Sequence, residues 1–315
     1  MSVTSPRRVL LIGCGYVGRA TGRRLAEAGH SVFGLRRSAG AAAELESAGI
    51  RPLVGDITQA DQLARLPGSF DWVVNTVSSS RGGAADYRSV YLEGTRNVLA
   101  WLSTQPVAKY VYTSSTSVYA QNDGVDVDET SPAEPAGETG RLLRDTEGLL
   151  LAAHRERQFP AVILRVAGIY GPGRGHLFHQ LLAGEARIVG DGSRLMNMVH
   201  RDDVATAIVV ALERGQPGEI YNCADDLPVA QLDFLAWNAA QLGRPLPPFA
   251  TEAENAARKR GLTNKRVSNR KLRASGWIPA FPTYREGYAA AIAAAQNPAT
   301  ELEHHAPVVS LTPRA

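Results

Sequence analysis

Short apolar runs alternate with longer polar-and-apolar stretches of helical period as far as about residue 166. The runs at 9–12, 31–35, 51–54, 70–75, 107–112 and 161–166 have the length and bounding turns of buried strands. Between them, 17–28, 40–48, 86–103 and 139–158 carry helical spacing. In the last of these Leu142, Leu143, Leu149, Leu150 and Ala153 make one apolar stripe, opposite a face of arginines and acids. Repeated β-α units of this kind predict an α/β fold: a parallel sheet with helices on both faces, joined by right-handed crossovers.

The rhythm changes after residue 170. Gly171-Pro172-Gly173-Arg174-Gly175 reads as a loop and Gly190-Asp191-Gly192 as a turn. Asp202 and Asp203 then open a helix running to about Arg214, placed where carboxylates favour the helix dipole. The run at 218–222 returns as a further strand, and helices are expected near 229–242, 268–275 and 283–295. The organisation expected is a sheet domain over 1–170 plus about 200–225. A small C-terminal domain takes 171–199 and 226–295, and 296–315, with three prolines, is a loose tail.

Composition narrows the class. Of the 315 residues, 44% are hydrophobic and 21% charged, ordinary for a globular protein. A net charge of +3 argues for neither a nucleic-acid nor a membrane partner. Cys14 and Cys223 are the two cysteines, too few for a disulfide framework or a metal cluster, and a cytoplasmic setting is expected. No apolar run approaches the ~20 residues of a membrane span. Oligomeric state is not legible.

The first strand runs directly into Gly13-Cys14-Gly15-Tyr16-Val17-Gly18, a Gly-x-Gly-x-x-Gly turn that opens a helix. Gly13 suits the tight turn, Gly15 lets backbone approach a pyrophosphate, and Gly18 lets the helix pack on the sheet. The amides that open this helix, near Tyr16 and Val17, point at the phosphates. A nicotinamide dinucleotide is the cofactor expected. A NAD site usually has an acid after the second strand to accept from the ribose hydroxyls. Arg36-Arg37 stand there instead and suit a 2′-phosphate, so NADP is preferred and NAD is the alternative.

Further segments follow in a recognisable order. They are Gly55-Asp56, Asn75-Thr76-Val77-Ser78, Thr113-Ser114-Ser115-Thr116-Ser117-Val118-Tyr119, Leu164-Arg165 and Ile169-Tyr170-Gly171-Pro172-Gly173. His200-Arg201-Asp202-Asp203 and Tyr221-Asn222 complete the series. Over residues 9 to about 225 the chain resembles the short-chain dehydrogenase/reductase superfamily, in its extended, NAD-dependent epimerase/dehydratase branch. The resemblance implies a doubly wound parallel (Rossmann) sheet of about seven strands and makes the small C-terminal domain a substrate domain, with a small-molecule substrate in the cleft between them. It also implies cofactor contacts from Asp56, Ile57, Thr76 and Val77.

Two departures stand out. Extended members carry Gly-x-x-Gly-x-x-Gly, and here the spacing is shorter. Their catalytic pair is a Tyr with a Lys four residues later, one helical turn apart so that both share a face. On the register set by Gly140-Arg141 and Glu147, those positions hold Thr139 and Leu143, neither able to do the original work. Arg141 and Arg144 lie off the face of Leu143. Ser115 matches the residue that hydrogen-bonds the substrate oxygen, and its alternative is to satisfy backbone at the strand end. Tyr119, the nearest phenol, is the candidate substitute acid, with core packing as its alternative. Tyr170 and His200 stay open between site and structure, as do the basic runs Arg258-Lys259-Arg260 and Lys265-Arg266 between anion binding and a solvated face. The expected function is an NADP-dependent epimerase/dehydratase-like oxidoreductase with a non-standard active site, acting on a carbonyl, an alcohol or a nucleotide sugar. The alternative is a catalytically silent NADP-binding sensor or regulatory protein.

Overall fold

The computed structural model describes residues 5–256 and 263–297. The apolar runs become one parallel sheet: β1 (Arg8–Ile12), β2 (Ser31–Arg36), β3 (Ile50–Val54), β4 (Trp72–Asn75), β5 (Lys109–Ser115), β6 (Ala161–Val166) and β7 (Ile220–Cys223). The order across the sheet is β7-β6-β5-β4-β1-β2-β3. Both expectations, the fold class and seven strands, hold. The order reverses between β1 and β4, which leaves a crevice at the carboxyl ends of the strands there. β6 is buried along its whole length, as a strand covered on both faces must be.

Two helical layers cover the sheet. In one, α1 (Tyr16–Glu27) packs against a helix over Arg201–Arg214. In the other, α2 (Glu138–Arg157) packs against a segmented helix. That segment is the stretch read as one helix over 86–103. It divides into Gly83–Tyr87, a π turn over Arg88–Glu93, and Gly94–Trp101. β5 also runs three residues beyond the expected end, because Thr113, Ser114 and Ser115 pair with Leu164, Arg165 and Val166. Neither change is visible in hydrophobic spacing, since one is a hydrogen-bond register and the other is polar sequence.

A second, smaller hydrophobic cluster gathers Tyr170, Phe178, Ile188, Phe234, Tyr284 and Tyr288 among others. Its helices are α3 (His176–Ala183), α5 (Gln231–Gln241) and α6 (Tyr284–Gln296), with α4 (Arg201–Arg214) between them in the chain. α6 starts with a capping box in which Thr283 and Glu286 satisfy each other's backbone. Asp203 lies in the first turn of α4, as expected, and has a further role there. Its carboxylate is buried and accepts from the amides of Ala280 (2.6 Å) and Phe281 (2.9 Å). Besides its place at the helix start, it holds the segment leading to α6. Trp277, fully buried, donates its indole N–H to the Asp203 carbonyl at 3.1 Å and fastens the same junction.

Candidate active site

The glycine turn is built by its own backbone. The amides of Gly13 and Cys14 both donate to the Leu35 carbonyl, at 3.2 and 3.1 Å, which ties the turn to the end of β2. Gly13 has φ +77°, and a Cβ there would stand 2.8 Å from the backbone of Val77. Gly15 differs: a Cβ would meet nothing nearer than 3.7 Å, so its bare Cα leaves open space at the mouth of α1. A Cβ on Gly18 would press on Thr76 Oγ1 at 3.0 Å, which marks the close approach of helix to sheet. Tyr16 and Val17 open α1, and their amides have no carbonyl within the helix to reach. Burial pushes the Cys14 thiol up to about 12, so this cysteine is an inert core group.

A groove of about 200 Å³ runs from this turn past Arg36, Arg37, Asp56, Ile57 and Val77. Arg36, the last residue of β2, donates Nη1 to the Cys14 carbonyl at 3.0 Å. Its guanidinium is thereby pinned beside the turn, with Nε and Nη2 unengaged among the described residues. Arg37 is exposed and donates to Ser80 Oγ at 3.2 Å. Asp56 Oδ1 accepts from the Thr58 amide at 2.9 Å, which makes it a turn aspartate that also lines the groove.

The groove continues into a chamber of about 340 Å³ at the ends of β4, β5 and β6, with Gly13, Gly15, Val77 and Ser78 common to both. Tyr16, Thr76 and Ser115 line it, and so does buried Leu143 from α2. Several hydroxyls there are already engaged. Thr76 donates to backbone carbonyls of Ile12 and Gly13, Thr113 to the Asn75 carbonyl, and Tyr16 to the Pro172 carbonyl at 3.1 Å. Ser115 Oγ accepts from the Ser117 amide at 3.1 Å and keeps its own proton to donate. It therefore serves the strand end and faces the chamber at once.

Tyr119 does not line the chamber. It is fully buried, receives a hydrogen bond from Arg165 at 2.8 Å and donates to Asn222 Oδ1 at 2.9 Å. Burial raises its pKa against the pull of Arg165. As a proton donor to substrate, it is replaced in this position by an internal network. Arg165 grips Glu147 through Nε and Nη2, the latter at 2.7 Å, and Ser114 donates to the same carboxylate at 2.5 Å. The pair is 5% and 2% exposed. Burial works against the Arg165 charge, and Glu147 more than offsets it, so its pKa stays above the ordinary value.

His200 and Tyr170 stand outside the chamber as well. His200 accepts from the Asp202 amide at 3.2 Å, capping α4, and burial lowers its pKa. Tyr170 stacks on Tyr288 at 4.7 Å in the second cluster. Lys265 is buried, donates to the Tyr119 carbonyl at 2.9 Å, and is pushed down to about 8 by burial. Arg266 is exposed and donates to the Gly124 carbonyl. Arg258-Lys259-Arg260 lie outside the described residues. A larger hollow of about 490 Å³ outside α1 is lined by Arg19, Arg23, Arg24 and Arg201, of which Arg19 pairs with Glu44 and Arg201 with Asp202. Among the described residues no cluster of His, Cys, Asp and Glu could hold a metal, and no helix is long and apolar enough to cross a membrane.

The groove, its glycine turn and the sheet order fit one group of known proteins. The model of the NAD dependent epimerase/dehydratase family matches residues 9–224. The chain belongs to that family. Protein YeeZ of Escherichia coli (strain K12) is 30% identical over 264 residues, covering 80% of this chain and 90% of YeeZ. The 2-alkyl-3-oxoalkanoate reductase of Stenotrophomonas maltophilia is 28% identical over 265 residues, 78% of each chain. The crystal structure of DesIV, a dTDP-glucose 4,6-dehydratase from Streptomyces venezuelae with NAD and TYD bound, shares the fold. Its TM-score is 0.79, with 23% identity over 91% of this chain and 96% of that one.

Within this epimerase/dehydratase family member, some chamber residues had no place in the sequence reading of the site. Tyr87 and Tyr91, from the segmented helix, face the chamber with ring centroids 4.9 Å apart. Arg174, from the glycine-rich loop, lines it too and lies 5.3 Å from the Tyr16 ring centroid. The i, i+4 spacing of the two tyrosines was the available signal, but such a pair reads equally as core.

Proposed function

We propose that the chain is an NADP-dependent oxidoreductase that interconverts a carbonyl and an alcohol on a small molecule bound at the ends of β5 and β6. The carrying observation is Arg36, held beside the glycine turn with two nitrogens unengaged where a NAD site would need an acid. In this reading the Tyr16 and Val17 amides face the pyrophosphate, Asp56 and Ile57 flank the adenine, and Thr76 and Val77 line the path to the nicotinamide. The space left by Gly15 supports the fit. The bound dinucleotide supplies hydride chemistry; the protein supplies orientation, and Ser115 a hydrogen bond to the substrate oxygen. Residues 171–199 and 226–295, around the second cluster, form the substrate-binding unit. The name of the 2-alkyl-3-oxoalkanoate reductase supports a carbonyl substrate.

A second reading, a silent NADP-binding sensor, is favoured by one observation: apolar Leu143 lines the chamber where the resemblance expects a lysine. Equilibrium binding of NADPH and NADH to wild type and Arg36→Ala tests the cofactor. NADPH should bind more tightly, and the variant should lose about tenfold or more of that preference, as a charge-assisted contact does. An unchanged affinity ratio rejects the NADP assignment. Oxidation of NADPH with a panel of ketones and β-keto acids separates enzyme from sensor.

A further inference from the structure

Thr139 stands where the resemblance expects a phenol and apolar Leu143 where it expects a lysine, and Tyr119 is sealed in the network around Arg165. Three phenols remain on its wall: Tyr16, Tyr87 and Tyr91. Tyr16 donates its proton to the Pro172 carbonyl. Tyr91 is buried, and its oxygen accepts from the Ser79 amide at 3.2 Å. Tyr87 is half-buried, and its hydroxyl has no hydrogen-bond partner among the described residues. It is the last residue before the π turn over Arg88–Glu93, an irregularity that recurs at functional sites because it re-aims side chains without ending a helix. Tilted packing against Tyr91, at 49° between the rings, limits the ring's freedom. Arg174 brings to the same chamber a positive charge that Leu143 does not.

We propose that Tyr87 is the proton donor of this site, in place of the phenol that the register at Thr139 lacks. The proposal rests on the reductase reading above. In the reducing direction the Tyr87 O–H bond breaks and an O–H bond forms on the substrate oxygen. The carbonyl carbon gains a hydride from the reduced nicotinamide dinucleotide, which leaves oxidised, and water returns the proton to the phenolate. Arg174 favours the negative oxygen formed along the way.

Wild type, Tyr87→Phe and Tyr91→Phe would be compared in three measurements. These are NADPH affinity by fluorescence, tetranitromethane nitration of individual tyrosines by peptide mapping, and NADPH oxidation with ketones, β-keto esters and β-keto acids. The expected result is nitration of Tyr87 in the free protein that NADPH suppresses. Tyr87→Phe should bind NADPH like wild type and turn over about 100-fold more slowly, the scale of general acid catalysis. Tyr91→Phe should lose only a few-fold. If wild type binds no NADPH, the cofactor reading falls and takes this one with it. If NADPH binds and Tyr87 nitrates at the same rate, or Tyr87→Phe turns over like wild type, the cofactor reading stands and Tyr87 is rejected. NADPH binding with protection of Tyr87 but no turnover of any probe rejects Tyr87 as a donor and supports the sensor.

Discussion

The two ends of the groove are made in opposite ways. At the glycine turn, backbone does the work: contiguous residues 13–18 leave amides and open space, and one arginine from the next strand completes the wall. At the ends of β5 and β6, side chains do the work, and most of them bond to each other. Ser114, Glu147, Arg165, Tyr119 and Asn222 form a closed chain of hydrogen bonds behind the chamber. The difference separates a surface kept vacant for a ligand from a polar core that holds strands in register. Polar residues at strand ends are thus poor evidence of chemistry unless a hydroxyl or charge is left over, as at Ser115, Tyr87 and Arg174.

Breaking the closed end should cost the most. Glu147→Ala leaves the Arg165 charge buried without its carboxylate, and a loss of about 3–5 kcal/mol is expected in urea unfolding. A loss under about 1 kcal/mol would mean that water reaches Arg165 and the network is not sealed. The open end should respond in binding rather than folding. Gly15→Ala meets no protein atom within 3.7 Å, so thermal unfolding should barely move while NADPH affinity drops about tenfold or more. Gly13→Ala should do the reverse of this in stability, because its φ of +77° and the Val77 backbone at 2.8 Å forbid the new methyl group.

The remaining effect is spread along pH and concerns a buried acid. Among the described residues Asp225 has one unpartnered carboxylate oxygen and neighbours of like sign in Asp203, Asp226 and Glu286, with Tyr170 beside it. Burial pushes it up to about 8. Its pKa is raised on folding, so the folded protein holds a proton that the unfolded chain releases above about pH 4. Its contribution to stability is fully present below that point and declines as pH rises through about 8. Wild type should lose up to about 1.4 kcal/mol per pH unit across this window relative to Asp225→Asn. Parallel stability curves for the two proteins would show that Asp225 is ionised in the fold.

Much of the sheet was legible because strands buried on both faces must be apolar, and β6 or β1 can be read from that alone. The glycine turn was legible for a related reason: its steric demands fall on consecutive residues. The π turn after Tyr87 was not, since it changes a hydrogen-bond register without changing the apolar spacing of 86–103. Glu147 sat within the apolar stripe of α2, and nothing local announced that Arg165, 18 residues on, would neutralise it. Asp203 was legible as a first-turn acid, but not its hydrogen bonds, because its partners, the amides of Ala280 and Phe281, lie 77 and 78 residues away.

The sequence by itself determined the α/β class, the seven strands, the glycine turn and the arginines after β2. Each of these depends on a chain segment meeting its own burial or backbone requirement. Only the tertiary structure decided that Tyr119 is sealed, that Ser115 and Tyr87 face a common chamber, and that Arg36 rests on the Cys14 carbonyl. Those facts depend on which distant groups consume one another's hydrogen bonds, and that matching exists only once the strands are side by side.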